Sequence, residues 1–357
     1  MSKFYKLNVI GVEHTTRDAV VVSLKPDSDC NGVFEFLAGQ HLTLRREVNG
    51  EELRRSYSIC SSAGEGLLRI GIKKVDDGWF STWANESIKP GDTIEAMPPS
   101  GRFTVPLNPQ ASRDYLGIAV GSGITPILSL ISTVLMQEPD ASFTLIYGNR
   151  SINSIMFKEE LEDLKNRYMH RLKLVHVLKN DGGDIELFNG RLDQEKCEAL
   201  FDRWVDVSVM DYVFICGPQS MTATVKELLA RRGLSPDQIK YEFFRSSPRK
   251  SFDADAVAST KISLARDIEV VVTLDGTTRT TTSSKRMSIL DGLLDNAVDA
   301  PYSCKAGVCS TCRCKVIEGE VEMIANHGLE DYEVERGFVL SCQSYALTGR
   351  VVVDYDQ

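Results

Sequence analysis

The 357-residue sequence has little that suits a membrane, a nucleic acid or the secretory space. Lys and Arg total 41 against 50 Asp and Glu, a net charge of −9. It therefore lacks the basic excess that draws proteins to phosphate backbones and anionic lipid. At the N-terminus no apolar run of signal-peptide length precedes Glu13 and His14. The one charge-free stretch of spanning length, Leu116 to Met136, is broken by Gly121, Gly123 and Pro126 and carries five hydroxyl residues. It reads as a buried strand, a glycine turn and a helix rather than a membrane span. Histidine is scarce, and the five (His14, His41, His170, His176, His327) fall in no ligand-like spacing. Even spacing of cysteines is also missing: there are nine, and Cys304, Cys309, Cys312 and Cys314 crowd into eleven residues. A disulfide framework would spread them out and favour a short secreted chain. The expectation is a cytoplasmic protein whose thiols stay reduced unless they bind a metal. With 42% apolar and 25% charged residues the chain is of ordinary globular composition, long enough for two or three domains.

Three textures follow one another. Residues 1–108 hold short apolar-alternating segments separated by turn signals such as Asn49-Gly50, Pro90-Gly91-Asp92 and Ser100-Gly101. Many short strands with frequent turns predict an antiparallel barrel, with one short helix after Gly78. Residues 109–246 alternate strand and helix: YLGIAV, a helix from Pro126, FTLIYG, a Glu/Lys-rich helix, LKLVHVL, DYVFICG and a helix near Ser220. This predicts a doubly wound parallel α/β sheet. Residues 247–261, nearly without aromatic residues, are read as a linker. Residues 262–357 form a third unit, with a hairpin at Asp275-Gly276, a helix near SILDGLLDNAV, the cysteines and a final strand RVVVDY.

Cys304-x4-Cys309-x2-Cys312, followed after 29 residues by Cys342, is the plant-type spacing for a [2Fe–2S] cluster. One tight loop supplies three thiolates and a distant segment the fourth. Ala306 and Gly307 leave room for backbone N–H groups to approach sulfur. The alternative, structural zinc, usually uses two short pairs. Cys314 reads as a packed thiol, and Cys30, Cys60 and Cys197 as bystanders.

Gly121-Ser122-Gly123-Ile124-Thr125-Pro126 joins a buried strand to a helix, where bare backbone N–H groups suit a pyrophosphate. Pro126 replaces the third glycine of the G-x-G-x-x-G pattern and is preset for a first helical turn. The next strand ends Tyr147-Gly148-Asn149-Arg150, with Arg150 where an acid would grip an adenosine ribose. Arg150 is either a 2′-phosphate contact favouring NADPH over NADH, or a solvated strand end. Cys216-Gly217-Pro218 closes a later strand at the same sheet edge. In the barrel, Arg55 suits a diphosphate, Tyr57 a flat ring and Ser58 a ring heteroatom, with Gly78-Trp79-Phe80-Ser81 as a second diphosphate anchor.

Taken in order, RSYS, GWFS, GSGITP, YGNR, CGPQSM and YEFF resemble the ferredoxin–NADP reductase superfamily, and CKAGVCSTC with the late LSCQ resembles plant-type ferredoxins. Their succession is similar to reductase components of bacterial multicomponent oxygenases. The resemblance implies a flavin barrel, a nicotinamide-nucleotide domain and a β-grasp-like [2Fe–2S] domain. It implies FAD, NADPH (NADH possible) and a [2Fe–2S] cluster, with electrons passing in that direction to an oxygenase, a diiron epoxidase or monooxygenase. Arg55, Tyr57, Ser58, the backbone of Ile72 and Lys73, Gly78, Ser81 and Phe244 would hold FAD, with Phe243 the rival aromatic. Gly121, Gly123, Thr125, Pro126, Arg150, Cys216 and Gly217 would hold the coenzyme. Ser58, Thr125, Cys216 and Glu242 would surround the hydride-transfer centre, and Cys304, Cys309, Cys312 and Cys342 would hold iron. Reductases of steroid, alkane or ring-hydroxylating oxygenases share the layout. The rival of another class is a non-catalytic iron–sulfur sensor that uses cluster occupancy as its signal; a DNA-binding one would want a basic face, against the charge. Residues 265–357 hold 15 acids and 9 bases, so −6 of the charge lies there, a surface suited to a basic partner.

Overall fold

The computed structural model describes residues 3–30, 32–48, 50–181, 183–244 and 267–357. The expected linker at 247–261 and Asn49 of the first turn signal lie outside the described residues.

The first sheet is antiparallel and six-stranded: β1 (Tyr5–Thr16), β2 (Ala19–Pro26), β3 (His41–Val48), β4 (Glu51–Ser58), β5 (Leu68–Lys73) and β6 (Thr93–Ala96), in the order β4-β3-β6-β1-β2-β5. Alternation supplies its inner face: Leu7, Val9, Val20, Val22, Leu42, Leu44, Ile70 and Ile72 are all buried. Helix α1 (Trp79–Glu86) covers that core with Phe80 and Ala84.

The second sheet is wholly parallel: β7 (Asp114–Val120), β8 (Ser142–Asn149), β9 (Leu172–Leu178), β10 (Tyr212–Gly217) and β11 (Ile239–Phe243), in the order β11-β10-β7-β8-β9. Its central strands are buried on both faces, so they read as continuous apolar runs without alternation. Helices α2 (Ile124–Gln137), α3 (Lys158–Arg167), α4 (Gln194–Arg203) and α5 (Gln219–Arg231) connect them. The sequence reading contains all of these except α4, whose Cys197, Leu200 and Phe201 form one buried face capped by Asp193. The order reverses between β7 and β10, so a crevice opens beyond their carboxyl ends, where doubly wound sheets take ligands.

The two sheets share one core, in which Ala19, Val21 and Cys60 pack with Ile127, Ile131 and Phe157. Polar ties reinforce it: Ser129 donates to the Ser61 carbonyl at 2.6 Å, and Arg69 makes a two-pronged pair with Glu160 at 3.1 and 3.0 Å.

The C-terminal module has a mixed sheet of β12 (Asp267–Leu274), β13 (Thr277–Ser284), β14 (Arg313–Glu318), β16 (Phe338–Leu340) and β18 (Arg350–Asp354), ordered β13-β12-β18-β14-β16. A small pair, β15 (Val321–Met323) and β17 (Ser344–Ala346), and helices α6 (Ile289–Asp295) and α7 (Asp331–Glu335) complete it. The β12–β13 turn is Asp275-Gly276, both with positive φ (52° and 69°), as a two-residue hairpin requires. Ser288 caps α6, accepting from the Asp291 amide at 3.1 Å.

By compactness the described residues fall into two units: residues 5–44 with 57–244, and residues 3–4 and 45–56 with 267–357. The outer part of the β3–β4 hairpin thus packs with the C-terminal module.

Candidate functional site

In the C-terminal unit the four cysteines of the spacing motif come together as two pairs. The Cys304 amide donates to Cys309 Sγ at 3.4 Å, and the two thiols are hydrogen-bonded to each other. Cys312 and Cys342 form the second hydrogen-bonded thiol pair. In each pair one thiol is drawn down by its partner's hydrogen bond, Cys304 to about 6, and the other is pushed up. A dinuclear cluster needs two thiolates for each of two irons, and this donor set divides that way. One zinc would instead want four sulfurs around one point.

The loop is shaped for sulfur. The Ala306 amide donates to Cys304 Sγ at 3.3 Å, and Gln343 Nε2 approaches Cys342 Sγ at 3.7 Å. Lys305 and Ser310 are left-handed (φ 47° and 53°), a strain of the kind held at binding loops. A side chain on Gly307 (φ 75°) would meet the Ala325 carbonyl oxygen at 2.9 Å. Cys314, on β14, is buried apart from the pairs, and burial pushes its thiol up to about 12.

In the other unit, the crevice at the carboxyl ends of β7 and β10 collects the residues expected to handle coenzyme. The two turn glycines differ in purpose. Gly121 has φ 56° and open space where a Cβ would project, while the Tyr147 hydroxyl donates to its carbonyl at 2.9 Å. Gly123 is packed: its Cβ would lie 2.6 Å from the Cys216 carbonyl carbon and closer still to the oxygen. Helix α2 starts at Ile124, so Pro126 occupies the first turn, where a missing N–H costs nothing. Thr125, buried, donates to the Ser122 carbonyl at 3.0 Å. Arg150 is exposed just past β8.

β10 and β11 pair Cys216 with Glu242 and Gly217 with Phe243. Tyr241 and Phe243 share one face of β11, their ring centroids 5.4 Å apart. Phe244 packs instead with the core that holds Cys216, and its amide donates to the Gly217 carbonyl at 3.1 Å.

Burial lifts the Glu242 carboxyl from 4.5 to about 8, so it is neutral at pH 7. The unfolded chain releases this proton near pH 4.5 while the folded one keeps it to about 8. Stability is therefore lost as pH rises through that window. Because Glu242 is only half-buried as a whole residue, the expected loss is about 2 kcal/mol. Glu242→Gln should flatten that part of the melting-temperature profile between pH 5 and 8; an unchanged slope would remove Glu242 as its source.

On the barrel strands, Ser58 is buried, Tyr57 half-buried against Phe80 at 5.5 Å, and Arg55 exposed, its Nη1 donating to the Arg54 carbonyl at 2.7 Å. Ser81 spends its hydroxyl within its own loop, donating to the Gly78 carbonyl at 3.0 Å and accepting from the Val75 amide at 3.2 Å. Ile72 is buried, and Lys73 pairs with Asp18 at 3.5 Å. Sequence reasoning missed Gly71. A Cβ there would sit 2.6 Å from Thr125 Cγ2, so the glycine lets the coenzyme turn approach β5. A lone glycine inside a strand pattern is the signal that could have found it.

Three domain families match the chain in order: an oxidoreductase FAD-binding domain over residues 6–105, an oxidoreductase NAD-binding domain over 118–227 and a 2Fe-2S iron-sulfur cluster binding domain over 272–347. Antiparallel flavin sheet, doubly wound nucleotide sheet and four-thiol loop define an electron-transfer flavo-iron–sulfur reductase. Over 363 aligned positions, covering 100% of this chain and 99% of the relative, it is 41% identical to a component of 1,2-phenylacetyl-CoA epoxidase from Escherichia coli K12. It is also 31% identical to the ferredoxin reductase component of 3-ketosteroid-9-alpha-monooxygenase from Rhodococcus rhodochrous, over 96% of this chain and 94% of that one. The chain belongs to this family of oxygenase reductase components. Phthalate dioxygenase reductase has the same fold: TM-score 0.61, 24% identity, and 98% of both chains covered. Among the described residues no helix is long and apolar enough to cross a membrane.

Proposed function

We propose that this chain is the cytoplasmic reductase component of a phenylacetyl-CoA epoxidase, delivering electrons from NADPH, or NADH in its place, to a diiron oxygenase in aerobic phenylacetate breakdown. The end-to-end 41% identity to the E. coli epoxidase component carries this reading. The domain limits that go with it are 1–108 for flavin, 109–246 for coenzyme and 262–357 for the cluster, joined by 247–261. When bound, FAD would supply hydride acceptance and single-electron release, and a [2Fe–2S] cluster held by the four cysteines would supply one-electron carriage.

The chain's own residues bind and orient. Arg55 grips the flavin diphosphate, Tyr57 lies against the flavin and Ser58 donates to its ring. The backbone of Ile72 and Lys73, with Gly78, supports it. Ser81 acts by shaping the Gly78 loop, since its hydroxyl is already engaged. Phe244, rather than Phe243, covers the ring, because it shares the Cys216 core while Phe243 turns to Tyr241. Gly121 presents bare backbone to the pyrophosphate. Gly123, Pro126 and Gly217 shape the crevice. Thr125, Cys216 and the neutral Glu242 border the nicotinamide, with the buried thiol held protonated.

Reconstitution with the oxygenase components of the E. coli epoxidase and NADPH should give epoxidation of phenylacetyl-CoA. Turnover with a 3-ketosteroid 9α-hydroxylase oxygenase and none with the epoxidase would transfer the assignment to the second relative. For Arg150, the reading as a 2′-phosphate contact predicts that Arg150→Ala raises KM for NADPH about tenfold, the worth of one charge-assisted contact, and KM for NADH less than about twofold. Equal losses would leave Arg150 as a solvated strand end.

A further inference from the structure

Strand β4 has two faces, and the structure shows what occupies one of them. Arg55 and Tyr57 alternate with Glu52, Arg54 and Ser56, and the even-numbered side chains all reach the segment that runs into the cluster loop. The Arg54 side chain is 5% exposed, although it carries a charge. Its Nε donates to Glu52 at 2.7 Å and its Nη2 to Asp299 at 3.4 Å. Its guanidinium lies 4.1 Å from the Tyr302 ring centroid and 4.9 Å from that of Phe4. The Tyr302 hydroxyl donates to Glu52 at 3.4 Å, and the Ser56 and Ser303 hydroxyls are hydrogen-bonded at 2.8 Å. Ser303 is buried and immediately precedes Cys304.

Buried charge is a poor device for stability alone, since an apolar side chain of the same volume usually serves as well. Arg54 even leaves Nη1 buried without a partner among the described residues. What such a cluster supplies is register: a planar fork, a ring face and two carboxylates fit together in one arrangement.

We propose that Arg54 is a positioning residue that docks the Asp299–Ser303 segment on β4 and so fixes the register in which the chain enters the Cys304 loop. Ser303 directly precedes Cys304, so this register holds the entry to the cluster loop, and loosening it slows the cluster's reduction. The proposal rests on Cys304 being a cluster ligand, as argued above.

The test uses the full-length holoprotein with Arg54→Met. FAD and iron per chain should stay as in the wild type, and NADPH-driven reduction of ferricyanide, drawn at the flavin, should change less than about twofold. Bleaching of the cluster in single-turnover stopped flow should slow tenfold or more, and amide hydrogen exchange across 299–303 should accelerate. Asp299→Asn, at a more exposed site that tolerates change, should move both readouts the same way by a smaller amount; it keeps the test alive if Arg54→Met does not fold. Arg54→Lys should recover part of the loss, because it keeps a cation near Tyr302. Native exchange and native bleaching in Arg54→Met would overturn the proposal, as would loss of FAD in that variant. Arg55→Ala tests the flavin reading separately. If it retains FAD while Arg54→Met still loosens 299–303, the flavin assignment fails and the docking stands.

Discussion

A Cys342→Ser variant is expected to purify with its flavin but without its cluster: iron per chain should fall to about a tenth or less, and NAD(P)H-driven cytochrome c reduction by about a hundredfold, with ferricyanide reduction within about twofold of wild type. Cys342 is the candidate ligand from outside the tight loop, in a buried turn, Ser341–Gln343. That turn is fastened to the loop independently of the thiol. Ser341 donates through its amide at 3.1 Å and its hydroxyl at 2.9 Å to the Cys312 carbonyl, and Gln343 donates to the Lys305 carbonyl at 3.0 Å. The scaffold therefore survives the substitution, and what is lost is a soft thiolate that a serine hydroxyl does not replace at iron. Iron analysis and the visible spectrum of anaerobically purified protein are the measurements.

Cys314 supplies the control. It lies two residues past Cys312, yet β14 carries it into the hydrophobic core of the module, where burial holds the thiol protonated. Cys314→Ala should keep full iron content and cost about 1 kcal/mol of stability through lost packing. A cluster lost equally in both variants would mean that the loop, rather than the ligand set, is what each substitution damages.

The contrast between these two cysteines shows what was legible in the sequence. A spacing of four and two residues reports a loop, so the candidate ligands could be read directly. All six strands of the antiparallel sheet and β7 to β10 of the parallel one could be read as well, because alternation and continuous apolar runs record one-sided and two-sided burial; β11, a partly buried edge strand, is missing from that reading. β13 could be read only from its turn: Asp275-Gly276 calls for a hairpin partner to β12, while TTRTTTSS itself is an exposed edge strand with no apolar face. Helix α4 did carry a legible signal, a capping Asp193 and an i, i+3, i+4 apolar set, but it is short and polar overall. At the sites, the residue types were legible and their directions were not. Arg54 and Arg55 are adjacent and chemically identical, and only the pleat sends one to Asp299 and Tyr302 and leaves the other exposed. Likewise Phe243 and Phe244 separate only once Phe243 is seen beside Tyr241. Which residues meet across distant segments, such as Ser56 with Ser303 or Gly71 with Thr125, depends on the docking of elements far apart in the chain, which local pattern does not record.

Gly123→Ala is expected to be the most damaging single methyl group in the nucleotide sheet. The backbone at Gly123 is ordinary right-handed helix (φ −61°, ψ −9°), so alanine is conformationally acceptable there and the whole cost is steric. The new Cβ would lie 2.6 Å from the Cys216 carbonyl carbon and 3.1 Å from the Gly217 nitrogen. Those are backbone atoms of β10, which is locked into parallel ladders with both β7 and β11 and has no rotamer to change. Relief requires β10 and the glycine turn to part, opening the wall of the crevice. Overpacking of this kind costs about 3 kcal/mol or more. KM for NAD(P)H should rise about tenfold or more, a loss of at least ~1.4 kcal/mol in binding. Gly121→Ala makes the matched comparison, two residues away. There the methyl group meets open space and the penalty is the left-handed backbone, about 1–2 kcal/mol. Its main effect should be on coenzyme binding, because the methyl group occupies the space beside the bare amides. Thermal melts and NAD(P)H titrations of the two variants separate the accounts: Gly123→Ala should lose clearly more stability than Gly121→Ala, and equal melting temperatures would show that β10 yields where its ladders say it cannot.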